Sequence, residues 1–470
     1  MSAADIRLAF VGDDFTGSID TMETLNSFGI STVLFLDVPD AALVARFGKP
    51  GAIGIATEAR AMSPSEMDNV LPKILADLIN TGAPVIHYKI CSTFDSSRHS
   101  GSIGHVLSLA STIFDVDRRW IVLGQPNLGR YGVFGTLFAR MGTDGDVYRI
   151  DRHPSMSRHP ITPMHEADIP KHIQMQADVD IGVINYLSLR SGKQRIDDCL
   201  LALKTESRDA ILLDVADDDC LNPIGNLIGE SAREGNPAFV IGPSSVEQAM
   251  ATYWEQGDPP PSKKTGRTSQ SGFAGVERLL AVSGSASPIT AEQIDHAVSQ
   301  GFTEIAVNPV DLIRRSQDLT VNTSVIQQIQ KAFKAGNSVI LHTCKGPADS
   351  RLVELAEFLS ETSDSVEAAA LEAGTSTAKA MAKFINELLL AVPVERLCLA
   401  GGDFSSAIAR NMKLSALSVI SLISPGVSLC IAHSENPVVD GLELALKGGQ
   451  MGKLNYFSKV RDGLEKQTGS

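Results

Sequence analysis

The sequence lacks the features that mark several large classes of protein. Its six cysteines include no C-x-x-C pair, so neither a zinc site nor a redox motif is indicated. No apolar run reaches the roughly 18–20 residues that a membrane-spanning helix needs. The N-terminus becomes acidic too early for a signal peptide. We therefore expect a cytoplasmic protein with no membrane partner.

The chain also has fewer basic than acidic residues. The chain carries 41 Lys and Arg against 55 Asp and Glu, which gives a formal net charge of −14. A nucleic acid or an anionic membrane requires a surplus of basic residues to neutralise its phosphates, so neither is an expected partner. Hydrophobic residues make up 43% of the 470 residues, which is ordinary for a globular protein of two or three domains.

The first half of the chain alternates short apolar runs with helical stretches. The runs are continuously apolar rather than alternating, which is typical of strands buried on both faces of a parallel sheet. Together with the intervening helices they predict a doubly wound α/β domain over residues 1–256. The runs lie at residues 6–12, 32–36, 84–90, 120–124, 179–184, 210–215 and 238–242.

Residues 257–275 interrupt this rhythm, because they are rich in Pro, Gly, Ser and Lys and have almost no apolar side chains. A long surface loop would have the same composition, but loops of this length are uncommon inside compact domains, which favours a linker. The alternation of apolar runs and helical stretches resumes in residues 276–470, so we expect two doubly wound domains with mainly parallel sheets. The predicted strands of the second are 278–283, 303–307, 338–343, 396–400 and 417–423.

The segment GDDFTGS, residues 12–18, follows the first predicted strand and opens a helix. Asp13 and Asp14 therefore lie beyond the carboxyl end of a parallel strand, where α/β sheets place their ligands. Two carboxylates there could hold Mg²⁺ or accept a proton from a substrate hydroxyl. The alternative is that one of them only caps the helix.

Cations and hydroxyls follow two further points of the first half. Lys89 ends the predicted strand 84–90 and is followed by Ser92 and Thr93, a composition that suits a carboxylate or phosphate ligand. A Ser-rich turn with a solvent-seeking lysine is the alternative. Residues 151–168 form a loop rich in Arg, His and Pro, for which an anion-binding lid and a plain surface loop both stay open.

Three turns of small residues follow predicted strands in the second half. They lie within residues 282–294, 399–409 and 446–452. In the first of them, Thr290 and Gln293 predict a capping box. Free backbone N–H groups beside a helix start suit a phosphate. Because the chain has neither a Walker lysine motif nor G-x-G-x-x-G, the three turns indicate a nucleotide site built from backbone donors.

Taken together, these motifs resemble the four-carbon acid sugar kinase family, whose members phosphorylate threonate, erythronate or 3-oxo-tetronate. GDDFTG, SGSASPITAEQI, GGDFSS and KGGQMG match in order and spacing over nearly the whole chain. The resemblance implies an ATP-dependent kinase that phosphorylates a hydroxyl of a small sugar acid, with a four-carbon tetronate as the expected substrate. It also implies an N-terminal domain for the acid and a C-terminal domain for ATP, with Mg²⁺ on the phosphates.

The resemblance assigns site residues as well. Asp13 and Asp14 match the family's acidic motif and are expected to be catalytic. No residue is an evident metal ligand, and Asp403 is the first candidate. The residues expected to bind the substrate are Asp13, Arg60, Lys89, Ile90, Cys91 and Ser92. The residues expected to bind ATP are Ser283, Ser285, Gly401, Gly402, Asp403, Phe404 and Gly449.

The second motif departs from the family's pattern. Many members continue from the lysine with a hydrophobic residue and Asp-Ser-Thr-Leu-Arg-Gly, whereas Cys91 replaces the acid here. The arginine and glycine are absent or displaced to Arg98 and Gly101, so the chain is expected to form a distinct branch and the exact acid stays open. Two alternatives also stay open, a non-catalytic metabolite sensor with a kinase fold and a dehydrogenase. A homo-oligomer is compatible with the sequence.

Overall fold

The computed structural model describes residues 6–114, 119–142, 145–159, 162–206, 208–232, 237–257, 272–317, 323–360, 366–424 and 427–465. The chain divides into two compact units, residues 1–267 and residues 268–470. Each unit has a mainly parallel sheet with helices between its strands, so the predicted fold class is confirmed. Most of the predicted linker, residues 258–271, lies outside the described residues. Among those described, no helix is long and apolar enough to cross a membrane.

The first unit contains one parallel sheet and one antiparallel ribbon. Its strands are β1 (Leu8–Gly12), β2 (Thr32–Phe35), β3 (Ala52–Ala56), β4 (Val85–Lys89), β5 (Arg119–Leu123), β6 (Arg130–Val133), β7 (Thr136–Arg140), β8 (Val147–Arg149), β9 (Ile181–Ile184), β10 (Ala210–Asp214) and β11 (Ala238–Gly242). The parallel order is β2–β3–β1–β4–β11–β5–β10–β9. The ribbon has the order β6–β7–β8.

The helices of the first unit cover both faces of this sheet, which is why the strands could be apolar throughout. For example, the four strand residues Leu8 to Val11 are all 0% exposed. The helices are α1 (Phe15–Ser27), α2 (Ala41–Ala45), α3 (Pro64–Asn80), α4 (Ile103–Ile113), α5 (Ile169–Gln174), α6 (Tyr186–Arg190), α7 (Lys193–Thr205), α8 (Leu221–Ala232) and α9 (Ser245–Glu255).

The second unit has a sheet that is parallel on one side and antiparallel on the other. Its strands are β12 (Leu280–Ser283), β13 (Thr303–Ala306), β14 (Val339–His342), β15 (Arg396–Ala400), β16 (Leu414–Ser424), β17 (Val427–Ser434) and β18 (Glu443–Lys447). They lie in the order β13–β14–β12–β15–β18–β17–β16. The first five run parallel, while β17 is antiparallel to both of its neighbours.

The helices of the second unit correct one prediction. They are α10 (Pro288–Ser299), α11 (Pro309–Gln317), α12 (Thr323–Lys334), α13 (Ser350–Ser360), α14 (Val366–Ala391), α15 (Gly402–Asn411) and α16 (Tyr456–Asp462). Because Pro288 is pre-organised for the first helical position, α10 begins there with Ser287 as its cap residue. The predicted capping box is therefore wrong, since Thr290 and Gln293 already lie inside the helix and are fully buried.

Helices α8 and α9 pack closely enough to need glycine at their contact. A Cβ atom added at Gly225 would lie 2.1 Å from the carbonyl oxygen of Ala249. We expect Gly225→Ala to destabilise the first unit by about 1–3 kcal/mol, because a backbone carbonyl cannot move aside as a side chain can. Urea unfolding measures this, with Glu230→Ala on the exposed face of α8 as the control. Equal stability of the two variants would contradict the contact.

Candidate functional site

The first candidate site lies where β1, β3 and β4 end at the carboxyl edge of the first sheet. Backbone hydrogen bonds join the segments that follow these strands. The N–H of Asp13 donates to the carbonyl of Lys89 at 2.9 Å, and the N–H of Arg60 donates to the carbonyl of Asp13 at 2.9 Å. The three predicted residues are therefore brought together by the sheet itself.

One guanidinium group joins the two acids. Arg60 donates from Nε to Asp13 Oδ2 at 3.1 Å and from Nη2 to Asp13 Oδ1 at 2.7 Å. The same Nη2 donates to Asp14 Oδ1 at 2.8 Å. Asp14 Oδ1 also accepts from the N–H of Gly17 at 2.9 Å, so Asp14 caps α1. Asp14 therefore caps α1 and also pairs with Arg60, and its catalytic role stays a prediction.

Burial controls the ionisation of the acidic pair. Asp13 is 6% exposed, and its burial raises the pKa of Asp13 to about 6 against the attraction of Arg60. Burial also opposes the charge on Arg60, but Asp13 and Asp14 outweigh it and hold the pKa of Arg60 above its usual value. A carboxylate with a pKa near 6 can accept a proton more readily than an ordinary aspartate.

Lys89 lies beside the start of α1. Its side chain is buried, and Nζ donates to the carbonyl of Ile90 at 3.0 Å. Nζ is 3.9 Å from Asp20 Oδ2, which accepts from Ser244 Oγ at 2.5 Å. The ammonium group is therefore fixed at the sheet edge by α1 and β4, as a ligand-binding cation should be.

The turn after β4 supports this cluster from the side. Ile90 is buried and donates its N–H to Gly242. Cys91 is partly exposed, and its Sγ accepts from Thr93 Oγ1 at 2.9 Å. Burial raises the pKa of Cys91, so the thiol is neutral at pH 7 and places no negative charge where the family's acid would stand. Ser92 is buried beside it.

The displaced end of the second motif has a structural role. Gly101 has φ +60°, a left-handed conformation that favours glycine. A Cβ atom there would lie 2.6 Å from the carbonyl oxygen of Arg60, and Ser100 Oγ donates to that oxygen at 3.2 Å. The turn thus holds the backbone of Arg60, whereas Arg98 is exposed to solvent.

The second candidate site lies where β12, β15 and β18 end in the second unit. The N–H of Gly401 donates to the carbonyl of Lys447 at 3.0 Å, which joins two of the three turns. A Cβ atom at Gly449 would lie 2.6 Å from Ser285 Oγ, and one at Gly284 would lie 2.3 Å from the ring of Phe404. The three glycine-rich turns therefore meet at one edge.

Most of the residues predicted to bind ATP lie at the ends of β12 and β15 and at the start of α15. Ser283 and Ser285 are buried at the end of β12, and Gly401 has φ +121° at the end of β15. Gly402 begins α15, and Phe404 is 7% exposed in its first turn. The side chain of Asp403 lies outside the described residues.

Three buried side chains hold the loop that follows β18. Lys447 donates from Nζ to the carbonyls of Gly448 at 3.1 Å, Gly449 at 3.4 Å and Met451 at 3.3 Å, and to Thr290 Oγ1 at 3.0 Å. Thr290 in turn donates to the carbonyl of Gly449 at 2.7 Å. Gln293 Nε2 donates to the carbonyls of residues 451, 452 and 453 at 3.0–3.1 Å.

These donors orient the loop. They bind its carbonyl oxygens from the protein interior, and in the described structure the N–H groups of Gly449 and Gln450 donate to no protein acceptor. Free N–H groups near the N-terminus of a helix such as α15 are donors of the kind that bind an anion such as a phosphate. Sequence reasoning missed Lys447 because its role depends on contacts with α10, more than 150 positions away.

The environment of Lys447 lowers its basicity. Burial lowers the pKa of Lys447 to about 8. Its Nζ lies 5.7 Å from the centre of the Tyr456 ring, an arrangement that favours the charged form. The ammonium group is therefore a positioning group that still carries its proton at neutral pH.

No metal cage of protein ligands is present in the described residues, where no three His, Cys, Asp or Glu side chains converge. Mg²⁺ in phosphoryl-transfer sites is held largely by phosphates and water, with one or two carboxylates.

Two family models match the chain. One is described as a sugar-binding N-terminal domain and matches residues 8–250, and the other is described as a nucleotide-binding C-terminal domain and matches residues 280–457. A 3-oxo-isoapionate kinase of Paraburkholderia graminis is 38% identical over 462 residues, which cover 98% of this chain and 95% of that protein. A 3-oxo-tetronate kinase of Pseudomonas savastanoi pv. phaseolicola is 26% identical over 456 residues, 96% of each chain.

Solved structures share the fold. A protein of Salmonella typhimurium LT2 superposes with a TM-score of 0.74 at 22% identity and covers 97% of this chain and 98% of that one. A protein of Haemophilus influenzae superposes with a TM-score of 0.71 at 23% identity, covering 96% and 98%.

Gln293 gives a direct test of the loop support. Replacing Gln293 with Leu removes the amide donor of the carbonyls of residues 451 to 453, of which that of Met451 keeps Lys447 Nζ, so we expect a loss of about 1–3 kcal/mol in the stability of the second unit. We also expect faster amide hydrogen exchange in residues 448–453. Gln300→Leu, an exposed position at the end of the same helix, is the control. If both variants exchange alike, Gln293 does not hold the loop.

Proposed function

The chain belongs to the four-carbon acid sugar kinase family, and we propose that it transfers the γ-phosphate of ATP to a hydroxyl group of a small sugar acid. One observation carries the proposal. A largely buried cluster of Asp13, Arg60 and Lys89 in the first unit accompanies, in the second unit, free N–H groups at Gly449 and Gln450 beside three glycine-rich turns. This division matches the sugar-binding and nucleotide-binding descriptions of the two family models.

The proposed substrate is a 3-oxo sugar acid. The relatives named above share a 3-oxo acid in their names, and the relative with 38% identity is a 3-oxo-isoapionate kinase. We therefore place 3-oxo-isoapionate ahead of 3-oxo-tetronate as the first acid to test. The proposed contacts with the acid are Asp13, Arg60, Lys89, Ile90, Cys91 and Ser92.

Within this proposal Asp13 is the proton acceptor. As the hydroxyl oxygen bonds to the γ-phosphorus, its proton passes to Asp13 and the bond from phosphorus to the ADP oxygen breaks. Each carboxylate oxygen of Asp13 accepts from Arg60 and still has a second lone pair. Asp14 has a different task, because its Oδ1 fixes the start of α1.

The second unit is the proposed ATP site. The turns that contain Ser283, Ser285, Gly401 and Gly449 would hold the phosphates through backbone N–H groups, with Gly402 and Phe404 at the start of α15. Asp403 is the proposed metal ligand. Mg²⁺ bound with ATP would neutralise phosphate charge.

The proposed location of the protein is the cytoplasm. All six cysteines are free thiols, which fits a reducing compartment. Together with the use of ATP, this favours the cytoplasm.

Measurement of ADP release tests the activity. We expect purified protein with ATP and Mg²⁺ to release ADP in the presence of 3-oxo-isoapionate or 3-oxo-tetronate, and the phosphorylated acid to appear by mass spectrometry. The related acids without the 3-oxo group, such as threonate and erythronate, are the matched controls. ADP release with none of these acids, despite measurable ATP binding, would favour the non-catalytic sensor.

Substitutions of Asp13 and Asp14 should lower kcat to different extents. We expect Asp13→Asn to lower kcat by about 10²–10⁴-fold, as loss of a general base does. Asp14→Asn should have a smaller effect, since asparagine caps a helix about as well as aspartate.

The pH profile gives a second check on Asp13. The base form is required, so kcat/KM of the wild-type enzyme should fall as the pH drops below about 6. Melting temperatures of both variants serve as the folding control. An Asp13→Asn variant with wild-type kcat, or a profile flat from pH 5 to 7, would exclude Asp13 as the base.

A further inference from the structure

The proposed acid site contains little unmatched positive charge. Arg60 lies 2.7 Å from Asp13 and 2.8 Å from Asp14, so its charge is already balanced by two carboxylates. Lys89 is 3.9 Å from Asp20. A sugar acid brings its own carboxylate, which needs a cation that is not already neutralised.

Arg130 lies at the same edge of the first sheet. It is the first residue of β6, and Gln125 and Arg130 exchange backbone hydrogen bonds of 2.8 and 3.1 Å just beyond the end of β5. Strand β11 separates β5 from β4 in the sheet. The start of the antiparallel ribbon therefore stands two strands from the end of β4, where Lys89 and Cys91 lie.

The guanidinium group of Arg130 has no carboxylate partner among the residues that the structure describes. Its Nη1 donates to the carbonyls of Leu128 at 2.6 Å and Arg140 at 3.4 Å, which fixes the group from one side. Its Nε is buried and has no hydrogen-bond partner. Burial lowers the pKa of Arg130, whereas Cys91 and Tyr131 act in the opposite direction, and the charge of Arg130 in turn helps to lower the pKa of His153.

We infer that Arg130 binds the carboxylate of the sugar acid and thereby selects acids over uncharged sugars. The inference rests on the proposed function. A half-buried guanidinium without a counter-ion costs desolvation free energy. A carboxylate that accepts from its free N–H groups offsets this cost. The planar fork of arginine suits a carboxylate with two parallel hydrogen bonds.

The altered second motif is consistent with this assignment. Arg98, the displaced arginine of the motif, is exposed and unsuited to hold a ligand in one geometry. Cys91 stands where many family members have an acid, so no carboxylate at that position competes for Arg130. The ribbon thus supplies a fixed cation that the motif no longer does.

Substitution of Arg130 tests the inference in the full-length enzyme. Arg130→Gln removes the charge but can keep a donor for the carbonyl of Leu128. We expect the KM of the sugar acid to rise about 10- to 100-fold, with kcat and the KM of ATP within a few-fold of wild type. Arg130→Lys keeps the charge without the fork, so its KM should rise less. Arg149→Gln is the matched control, because Arg149 lies in the same ribbon but is already paired with Asp151.

A second readout excludes a purely structural role. The wild-type enzyme should prefer the acid to an analogue in which a hydroxymethyl group replaces the carboxylate, and Arg130→Gln should lose most of this preference. Unchanged KM and unchanged preference in a folded Arg130→Gln enzyme would overturn the inference. If that variant does not fold, Arg130→Lys decides, since a wild-type KM there would overturn it. A wild-type enzyme without kinase activity would refute the proposed function instead.

Discussion

The proposed acid site depends on one guanidinium group that joins two carboxylates. Arg60 would be costly at a buried sheet edge by itself, and so would Asp13, but together with Asp14 they satisfy each other. The pairing also fixes Asp13, while burial keeps its pKa near 6. The same contact therefore provides stability and a carboxylate that can take up a proton. Other parts of the unit, such as the turn at Gly101, hold the Arg60 backbone in place.

The second unit relies on backbone groups rather than on charged side chains for its proposed site. Its proposed nucleotide site uses backbone N–H groups, whose directions cannot be set individually by a choice of side chain. Their direction is set by fixing the carbonyl ends of the same peptide units. Lys447 and Thr290 bind the carbonyls of Gly448 and Gly449, and Gln293 holds the residues that follow. A buried lysine is tolerated here because four oxygen atoms surround its Nζ. The glycines then leave space for a phosphate.

Local pattern was enough for the elements that are buried on both faces. Runs such as LAFVG and AFVIG predict parallel strands because no polar side chain interrupts them. Strand β3 was missed because its run AIGIA is short and made largely of small residues. The ribbon was also missed, since its half-exposed residues do not form such runs. Strands β17 and β18 are mostly buried but were missed because polar residues interrupt VSLCIAHS and flank the short run in ELALK. The partners of Thr290 and Gln293 lie about 160 positions away, which is why a local capping pattern misled.

Charge balance connects the divergent motif with the ribbon. A neutral thiol at Cys91 in place of the family's acid removes one negative charge at that position, while the motif's arginine is lost from the turn as well and the buried Asp95 lies nearby. A carboxylate-bearing ligand gains from the change at Cys91, because no acid repels it from that position while Arg130 retains its charge. An uncharged sugar would gain nothing from either residue. The substitution and the unpaired arginine therefore point in the same direction, toward a substrate that carries its own negative charge.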